Sequence, residues 1–254
     1  MTDTLQPDVV VPRLRGRFGK PYLYAAECPS TQDLLRASAQ PEGAVAAAEH
    51  QTAGRGRSGR TWYDTAGSAL LFSILLRPAP EGPPAPQLSL VAALAVAEAV
   101  EHAAGVDAQV KWPNDVWVER RKVAGILLEA AESSVVCGIG VNVNQSADEL
   151  PAGRIPPTSL RVLTGMQHDR ATVLADLLAA LEAHYETWQR TGLADLLTAL
   201  ERRNALRGTP VGVGEVAGIA AGIAADGRLA VVTAAGEELF VESGEVGVEV
   251  RLPD

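Results

Sequence analysis

A short segment that alternates glycine with arginine, residues 54–62, constrains this chain more than any other stretch. Its sequence, GRGRSGRTW, contains no acidic residue, although the 254-residue chain carries a formal charge of −9. Glycine lets the backbone present its N–H groups to an anion, and arginine supplies planar, permanently charged groups that bind phosphate and carboxylate oxygens. Apolar stretches flank the segment at residues 44–48 and 69–76. We therefore expect a loop inside a folded unit that covers an anion-binding site, and we call residues 54–62 the basic loop.

A run of arginine and glycine is also typical of disordered tethers that bind nucleic acid. The phosphate motif GxxxxGK[ST] is not present in the run, because Arg60 stands where that motif has lysine. The acidic balance of the chain argues against a broad nucleic-acid surface. The closing Trp62 offers a flat apolar face for a ring, which favours a small-molecule site. Nucleic-acid binding through the basic loop is kept as an alternative.

Composition limits the class of protein. The longest apolar run, residues 90–97, falls well short of the roughly 20 residues of a membrane span. The polar and acidic N-terminus does not resemble a secretion signal. Cys28 and Cys137 are isolated, and the four histidines lack metal-ligand spacing. A soluble, cytoplasmic protein is expected, without contact with membranes.

The pattern of elements predicts an α+β fold with two domains, residues 1–204 and 205–254. Helices are expected over residues 30–39, 89–104, 159–164, 169–190 and 193–203, with Ser30, Ser89 and Asp169 as N-terminal caps. Strands are expected over residues 44–48, 68–76, 109–112, 116–118, 123–131 and 135–143, the last four as an antiparallel meander. After Asn204 the chain becomes rich in valine and glycine, with a hairpin turn at Asp226-Gly227. This texture indicates a small β-barrel-like domain.

A second constellation, Lys111-Trp112-Pro113-Asn114-Asp115 followed by Lys122, falls within the predicted meander. A hairpin would bring the two lysines, the amide and the carboxylate to one cavity. Pro-Asn-Asp is also ordinary turn chemistry. However, lysine occurs only three times against 19 arginines, and two of the three lysines lie here. We infer that this site needs a compact ammonium group where a guanidinium does not fit, although chance clustering stays open.

Four motifs in this order resemble those of biotin protein ligases: the basic loop, residues 111–115, the KVAGILLE segment at 122–129 and GIGVN at 138–142. The resemblance covers residues 22–254. It implies a catalytic domain similar to class II tRNA synthetases, with a mixed or antiparallel sheet, and a small C-terminal SH3-like barrel. It also implies an ATP-dependent ligase that forms biotinyl-5′-AMP, releases pyrophosphate, and transfers biotin to a lysine of a biotin carboxyl carrier protein.

The resemblance assigns roles to individual residues. It implies a biotin site made of Ser30, Thr31, Gln32, Gln51, Arg55, Gly56, Arg57 and Lys122. It implies an ATP site made of Gly54, Arg57, Arg60, Trp62, Lys111, Asn114 and Asn142. Lys122, Arg57 and Asp115 would be the catalytic group, with Asp115 organising Mg²⁺. The family usually has asparagine after Ser-Thr, where Gln32 stands here.

Two alternatives of different classes remain at this point. A lipoate–protein ligase would share the adenylation logic, although the polar set of Ser30, Thr31 and Gln51 suits the ureido group of biotin better than a dithiolane. A non-catalytic module could instead sense biotin or its adenylate. Because only about 20 residues precede Tyr22, the resemblance implies a monofunctional enzyme without DNA-binding helices. By analogy with the family, the apolar meander is compatible with a homodimer.

Overall fold

The computed structural model describes residues 3–36, 39–131, 133–153, 155–242 and 244–248, which form an α+β fold with two sheets. The helices are α1 (Pro7–Val10), α2 (Thr31–Arg36), α3 (Leu88–Ala104), α4 (Leu160–Thr164), α5 (Arg170–Thr191) and α6 (Leu197–Arg202). The strands are β1 (Tyr22–Cys28), β2 (Val45–Gln51), β3 (Ala69–Leu76), β4 (Gln109–Lys111), β5 (Asp115–Val118), β6 (Arg121–Ala131), β7 (Ser134–Asn142), β8 (Pro210–Val213), β9 (Val216–Ile223), β10 (Leu229–Val232), β11 (Glu238–Val241) and β12 (Gly247–Val248).

The larger sheet has the order β1-β2-β3-β7-β6-β5-β4. Only β1 and β2 are parallel; the other neighbours are antiparallel, so the predicted mixed sheet and its meander are confirmed. Every residue of β3 is buried, because helices α3 and α5 pack on one face of the sheet and α2 packs on the other. The sequence analysis did not predict β1, whose residues are mostly half-buried or exposed and show no clean alternation.

Helix α3 is the central core helix. It begins at Leu88, and Ser89 is not its cap as predicted; instead Ser89 Oγ donates to the carbonyl of Pro113 at 2.9 Å and ties the helix to the 111–115 turn. Within the described residues, the segment Ala85–Ala104 alone has the length and hydropathy of a membrane span, but 67% of its most apolar 18-residue window (mean hydropathy 1.2) is buried inside the molecule. The burial is that of a core helix surrounded by protein.

The N-terminal residues belong to this core. Leu5 and Phe18 are fully buried. Asp3 pairs with Arg170 at 2.8 Å, and this fully buried arginine also lies 2.8 Å from Glu49 at the end of β2. The first residues of the chain thereby fix β2 and α5 against each other. Helix α2 is described to Arg36; the predicted extension to residue 39 crosses residues 37 and 38, which lie outside the described residues.

The smaller sheet is antiparallel, in the order β11-β10-β9-β8-β12. The predicted hairpin is confirmed: β9 and β10 pair around Asp226 and Gly227, and Gly227 has a φ of +89° that glycine adopts without strain. Trp112 Nε1 donates to the carbonyl of Gly227 at 2.9 Å. The small sheet is therefore attached to the 111–115 turn.

Candidate active site

Two neighbouring cavities open beside the basic loop. The first, with about 480 Å³ of empty space that is partly open to solvent, is lined by Ser30, Thr31, Gln32, Gln51, Arg55, Gly56, Arg57, Trp62, Phe72, Ser73, Asn114, Lys122, Gly125, Ile126, Leu127, Gly138, Ile139 and Gly140. The second, with about 990 Å³, is lined by Gly56, Arg57, Ser58, Arg60, Thr61, Trp62, Lys111, Pro113, Asn114, Asp115, Lys122, Ile155, Gly244 and Glu245.

Five residues line both cavities and form their junction: Gly56, Arg57, Trp62, Asn114 and Lys122. All eight residues of the predicted biotin set line the first cavity. Of the predicted ATP set, Arg57, Arg60, Trp62, Lys111 and Asn114 line the second. The two sets that the sequence separated by role are thus brought together in space, with the basic loop between them.

The end of the first cavity carries neutral polar groups. Strand β2 ends at Gln51, directly beside the start of α2. Gln51 Oε1 accepts from the backbone N–H of Thr31 at 2.8 Å and from its hydroxyl at 3.2 Å. The hydroxyls of Thr31 and Ser73 are 2.7 Å apart. Thr31 and Ser73 are buried and Gln51 is half-buried. The three side chains hold one another in place and form a set of donors and acceptors without formal charge.

Gln32 is buried in the wall of the same cavity. Its Nε2 donates to the carbonyls of Leu127 at 3.2 Å and Val136 at 3.4 Å, so it bridges β6 and β7. Gly138 leaves the room for this side chain, because a Cβ there would lie 3.0 Å from Gln32 Cδ. The amide nitrogen is therefore engaged by the protein itself, and Gln32 shapes the cavity wall.

Glycines form the floor under Trp62. Gly125 of β6 and Gly140 of β7 face each other in register, and a Cβ at either would lie 2.9 or 2.5 Å from the indole. Only glycine permits so close an approach of a ring to the sheet. Lys122 Nζ lies 5.6 Å from the centroid of the indole, within cation–π range. The buried indole N–H has no hydrogen-bond partner among the described residues.

The basic loop is a short hairpin. Gly56 N–H donates to Arg60 O at 2.7 Å, and Trp62 N–H donates to Gly54 O at 2.9 Å. Its tip, Arg57–Gly59, is a 3₁₀ turn in which Ser58 has a φ of +56°. Gly54 lies outside both cavity linings; a Cβ there would lie 2.5 Å from Trp62 O. Its role in this structure is to let the two sides of the hairpin meet.

The three arginines of the loop have different partners. Arg55 forms a two-pronged ion pair with Asp33, at 2.9 and 2.8 Å. Arg57 donates to the side-chain oxygen of Asn114 at 3.1 Å, across the junction of the cavities. Arg60 lies 2.6 Å from Glu245 of the C-terminal part. Arg57 therefore faces a neutral group, whereas Arg55 and Arg60 each face a carboxylate.

The β5–β6 hairpin places Lys122 beside Asp115. Lys122 Nζ lies 2.7 Å from Asp115 Oδ1, yet this buried oxygen makes no hydrogen bond of acceptable geometry to any described residue. Lys111 is buried in the adjoining wall. Burial lowers the pKa of Lys111, nearby Asp115 opposes that shift, and the like charge of Lys122 adds to it. No cluster of three or more His, Cys, Asp or Glu that could hold a metal occurs within the described ranges.

The side chain of Asn142 is hydrogen-bonded within the protein and does not face either cavity. Its Nδ2 donates to Thr158 O at 3.0 Å and its Oδ1 accepts from Gln145 at 3.2 Å, and it is in neither cavity lining. The sequence reasoning also missed several lining residues, among them Phe72, Ser73 and Glu245. Phe72 lies in an apolar strand and Glu245 is distant in sequence, so no local signal identified them. Ser73 interrupts the apolar residues of β3, and this polar residue is a local signal that could have identified it.

Comparison with known proteins agrees with this geometry. The model of the Biotin/lipoate A/B protein ligase family matches residues 24–146. A biotin–[acetyl-CoA-carboxylase] ligase of Mycobacterium tuberculosis is 37% identical over 84% of this chain and 83% of its own length. A bifunctional ligase/repressor of Bacillus spizizenii is 38% identical, but this chain spans only 58% of its length.

A solved structure leads to the same class. The structure of the biotin protein ligase from Aquifex aeolicus in complex with biotin and ATP is similar with a TM-score of 0.82 and 32% identity, over 89% of this chain and 97% of that one. This chain belongs to the biotin protein ligases of the Biotin/lipoate A/B protein ligase family.

Proposed function

We propose that this protein is an ATP-dependent biotin–protein ligase. It activates biotin as biotinyl-5′-AMP, with release of pyrophosphate, and transfers the biotinyl group to a lysine of a biotin carboxyl carrier domain, with release of AMP. One observation carries the proposal: a cavity with neutral polar groups at its end and a second, cation-lined cavity meet at Arg57, Asn114 and Lys122. The first suits a ureido group, the second a triphosphate, and the junction suits the two groups that react.

The first step joins two anions. Two unit charges 4 Å apart repel by about 4 kcal/mol at an effective dielectric constant of 20. Arg57 and Lys122 offset this repulsion at the junction, while Arg60 and Lys111 bind the remaining phosphates. A biotin carboxylate oxygen attacks the α-phosphorus, the bond to the bridging oxygen breaks, and pyrophosphate leaves. Positive side chains stabilise the charge that develops, without proton transfer.

Asp115 is the residue that would hold Mg²⁺. Its carboxylate lies in the second cavity, with Oδ1 2.7 Å from Lys122 Nζ, and Mg²⁺ is commonly bound through one or two carboxylates plus substrate phosphates. The residues present fit that pattern. A bound ion would supply Lewis-acid stabilisation of the phosphate oxygens.

In the second step the lysine amine of the carrier domain attacks the acyl carbon, and AMP leaves with the bridging oxygen. We propose Asp115, in its alternative role to that of a metal ligand, as the base for the proton that the amine loses. Until the acceptor arrives, the basic loop shields the mixed anhydride from water. We propose the other biotin-site and ATP-site residues in the roles that the resemblance implies. In this proposal Gln32 forms part of the cavity wall, and Gly54 and Asn142 support the site without contacting the substrates.

The proposal extends to the molecule as a whole. Residues 1–204 form a catalytic domain similar to class II synthetases, and residues 205–254 form an SH3-like barrel, for which the five-stranded antiparallel sheet is the support. The enzyme works in the cytoplasm on a carrier protein, without DNA or membranes as partners. A homodimer is compatible with it.

Pyrophosphate exchange tests the function. The protein is incubated with MgATP, labelled pyrophosphate, and either biotin or lipoate, and label in ATP is measured. Exchange that depends on biotin is the expected result. Exchange with lipoate alone would make the protein a lipoate–protein ligase. Biotin binding without any exchange would identify a sensing module, and retention on a polyanion at physiological salt without exchange would favour a nucleic-acid binder.

A further inference from the structure

Arg55 is tied into a cluster of four charges beside the first cavity. Both of its terminal nitrogens bond Asp33, and Nη2 also donates to Glu129 at 3.2 Å. Arg36 lies 2.5 Å from Glu129 and 4.0 Å from Asp33. The hydrogen bonds from Arg55 lower the pKa of Asp33. The cluster is neutral as a whole, so Arg55 contributes little net charge to an incoming anion.

The cluster connects the three segments that enclose the first cavity. Asp33 and Arg36 lie on α2, whose first residues carry the polar groups at the cavity end. Glu129 lies on β6, the strand of Lys122 and Gly125. Arg55 is in the first strand of the basic loop, two residues before Arg57. Its position therefore fixes where the loop leaves the body of the protein.

We propose that Asp33 and Glu129 are positioning residues that hold Arg55 and thereby keep the basic loop over the cavity, with Arg57 directed at the junction. This rests on the proposed function in one respect, that the loop covers the adenylate. Two parallel hydrogen bonds to one carboxylate fix the orientation of an arginine side chain. A single hydrogen bond, or a lysine in the same position, would let the side chain rotate. Arg55 thus fixes the loop, and Arg57 and Arg60 remain for the substrates.

Loop closure is measured first without substrate. Because proteolysis requires local unfolding of the cleaved segment, we use the rate of trypsin cleavage after Arg57 and Arg60 as the measure of loop opening. The double variant Asp33→Asn/Glu129→Gln should be cleaved about tenfold faster than the wild type at unchanged Tm. Asp176→Asn, which removes the contacts of Asp176 with Arg15 and His102 outside both cavity linings, is the matched control and should be cleaved at the wild-type rate. Unchanged cleavage in the double variant overturns the proposal.

Substrate measurements then separate positioning from direct binding. The double variant should raise KM for biotin and release more biotinyl-5′-AMP into solution, with a smaller change in kcat. Arg55→Gln should give the same effects, and the triple variant should be no worse than either, because all three act through one contact. The conservative variant Asp33→Glu keeps a carboxylate at this position and should therefore retain biotinyl-5′-AMP nearly as well as the wild type. Additive losses in the triple variant would mean that Arg55 contacts substrate itself. A wild type that shows no biotin-dependent exchange defeats the proposed function, whereas the cleavage result stands independently.

Discussion

The two cavities of this protein differ in the side-chain contacts that line them. In the first, Thr31, Gln51 and Ser73 hydrogen-bond one another, and glycines leave the space that a ligand would fill. In the second, cations face carboxylates of the same chain: Lys122 lies 2.7 Å from Asp115, and Arg60 lies 2.6 Å from Glu245. The end of the first cavity is shaped by size and neutral contacts, whereas the second cavity is shaped by charge.

This difference predicts different sensitivities. A ligand of the first cavity must fit between fixed walls, so an added methyl group should matter more than a change in salt. A ligand of the second must replace internal ion pairs, so it should respond to charge, salt and pH. The site shared by both, around Lys122 and Arg57, should tolerate change least.

The largest effect is expected for Lys122→Ala. Loss of its ammonium removes charge stabilisation at the junction, and adenylation should slow by about 10²–10³-fold. Biotin-dependent pyrophosphate exchange measures it. Lys20→Ala is the matched control, since Lys20 donates only to the carbonyl of Gly16 at 2.9 Å on the exposed surface. Near-normal exchange in Lys122→Ala would remove this residue from the chemistry and with it the shared junction.

A smaller effect is expected for Gly138→Ala. The new methyl group would press on Gln32 Cδ at 3.0 Å and narrow the first cavity. Overpacking of this kind costs about 1–3 kcal/mol, and 1.4 kcal/mol corresponds to a tenfold change. Calorimetry should therefore show biotin affinity reduced by about tenfold and ATP affinity unchanged. Gly212→Ala in β8, where nothing lies within 4 Å of a Cβ, should leave both as in the wild type. Equal losses for both ligands would contradict separate cavities.

The smallest effect is the pH dependence of ATP affinity. Burial sets the pKa of free Lys111 below its usual value of about 10.4. A bound phosphate favours the charged form, so binding raises that pKa. ATP affinity should be highest below the pKa of Lys111 in the free protein and should fall several-fold as the pH rises through that pKa. Isothermal titration between pH 7 and pH 10 checks this, and Lys111→Gln should lose the Lys111 component of the dependence. The same slope in that variant would place the titrating group elsewhere.

The sequence was informative where residue chemistry is local. The basic loop and the 111–115 turn could be identified from their unusual residue composition. Glycines 125, 138 and 140 lie within the segments that resemble the family. Periodicity and apolar runs were enough for α3, α5 and the meander from β4 to β7.

Contacts between distant residues were beyond its reach. The pairing of Arg60 with Glu245, the ion pair of Asp3 with buried Arg170, and the hydrogen bond from Ser89 to Pro113 each join segments far apart in sequence. Ser89 shows the difficulty well, because a serine at the start of an apolar helix has the pattern of a cap. Only the folded structure shows that its hydroxyl donates to the carbonyl of Pro113 instead of capping the helix. Strand β1 was missed because its pairing with β2 alone defines it.

The indole on the glycine floor gives this enzyme an optical signal of its own. Of its four tryptophans, Trp112, Trp117 and Trp188 are at most 1% exposed, whereas Trp62 is only half-buried at the meeting point of both cavities. We expect ligand entry to change the surroundings of that ring more than those of the three buried tryptophans. Intrinsic fluorescence in a stopped-flow instrument can accordingly time substrate capture and product departure without any added label.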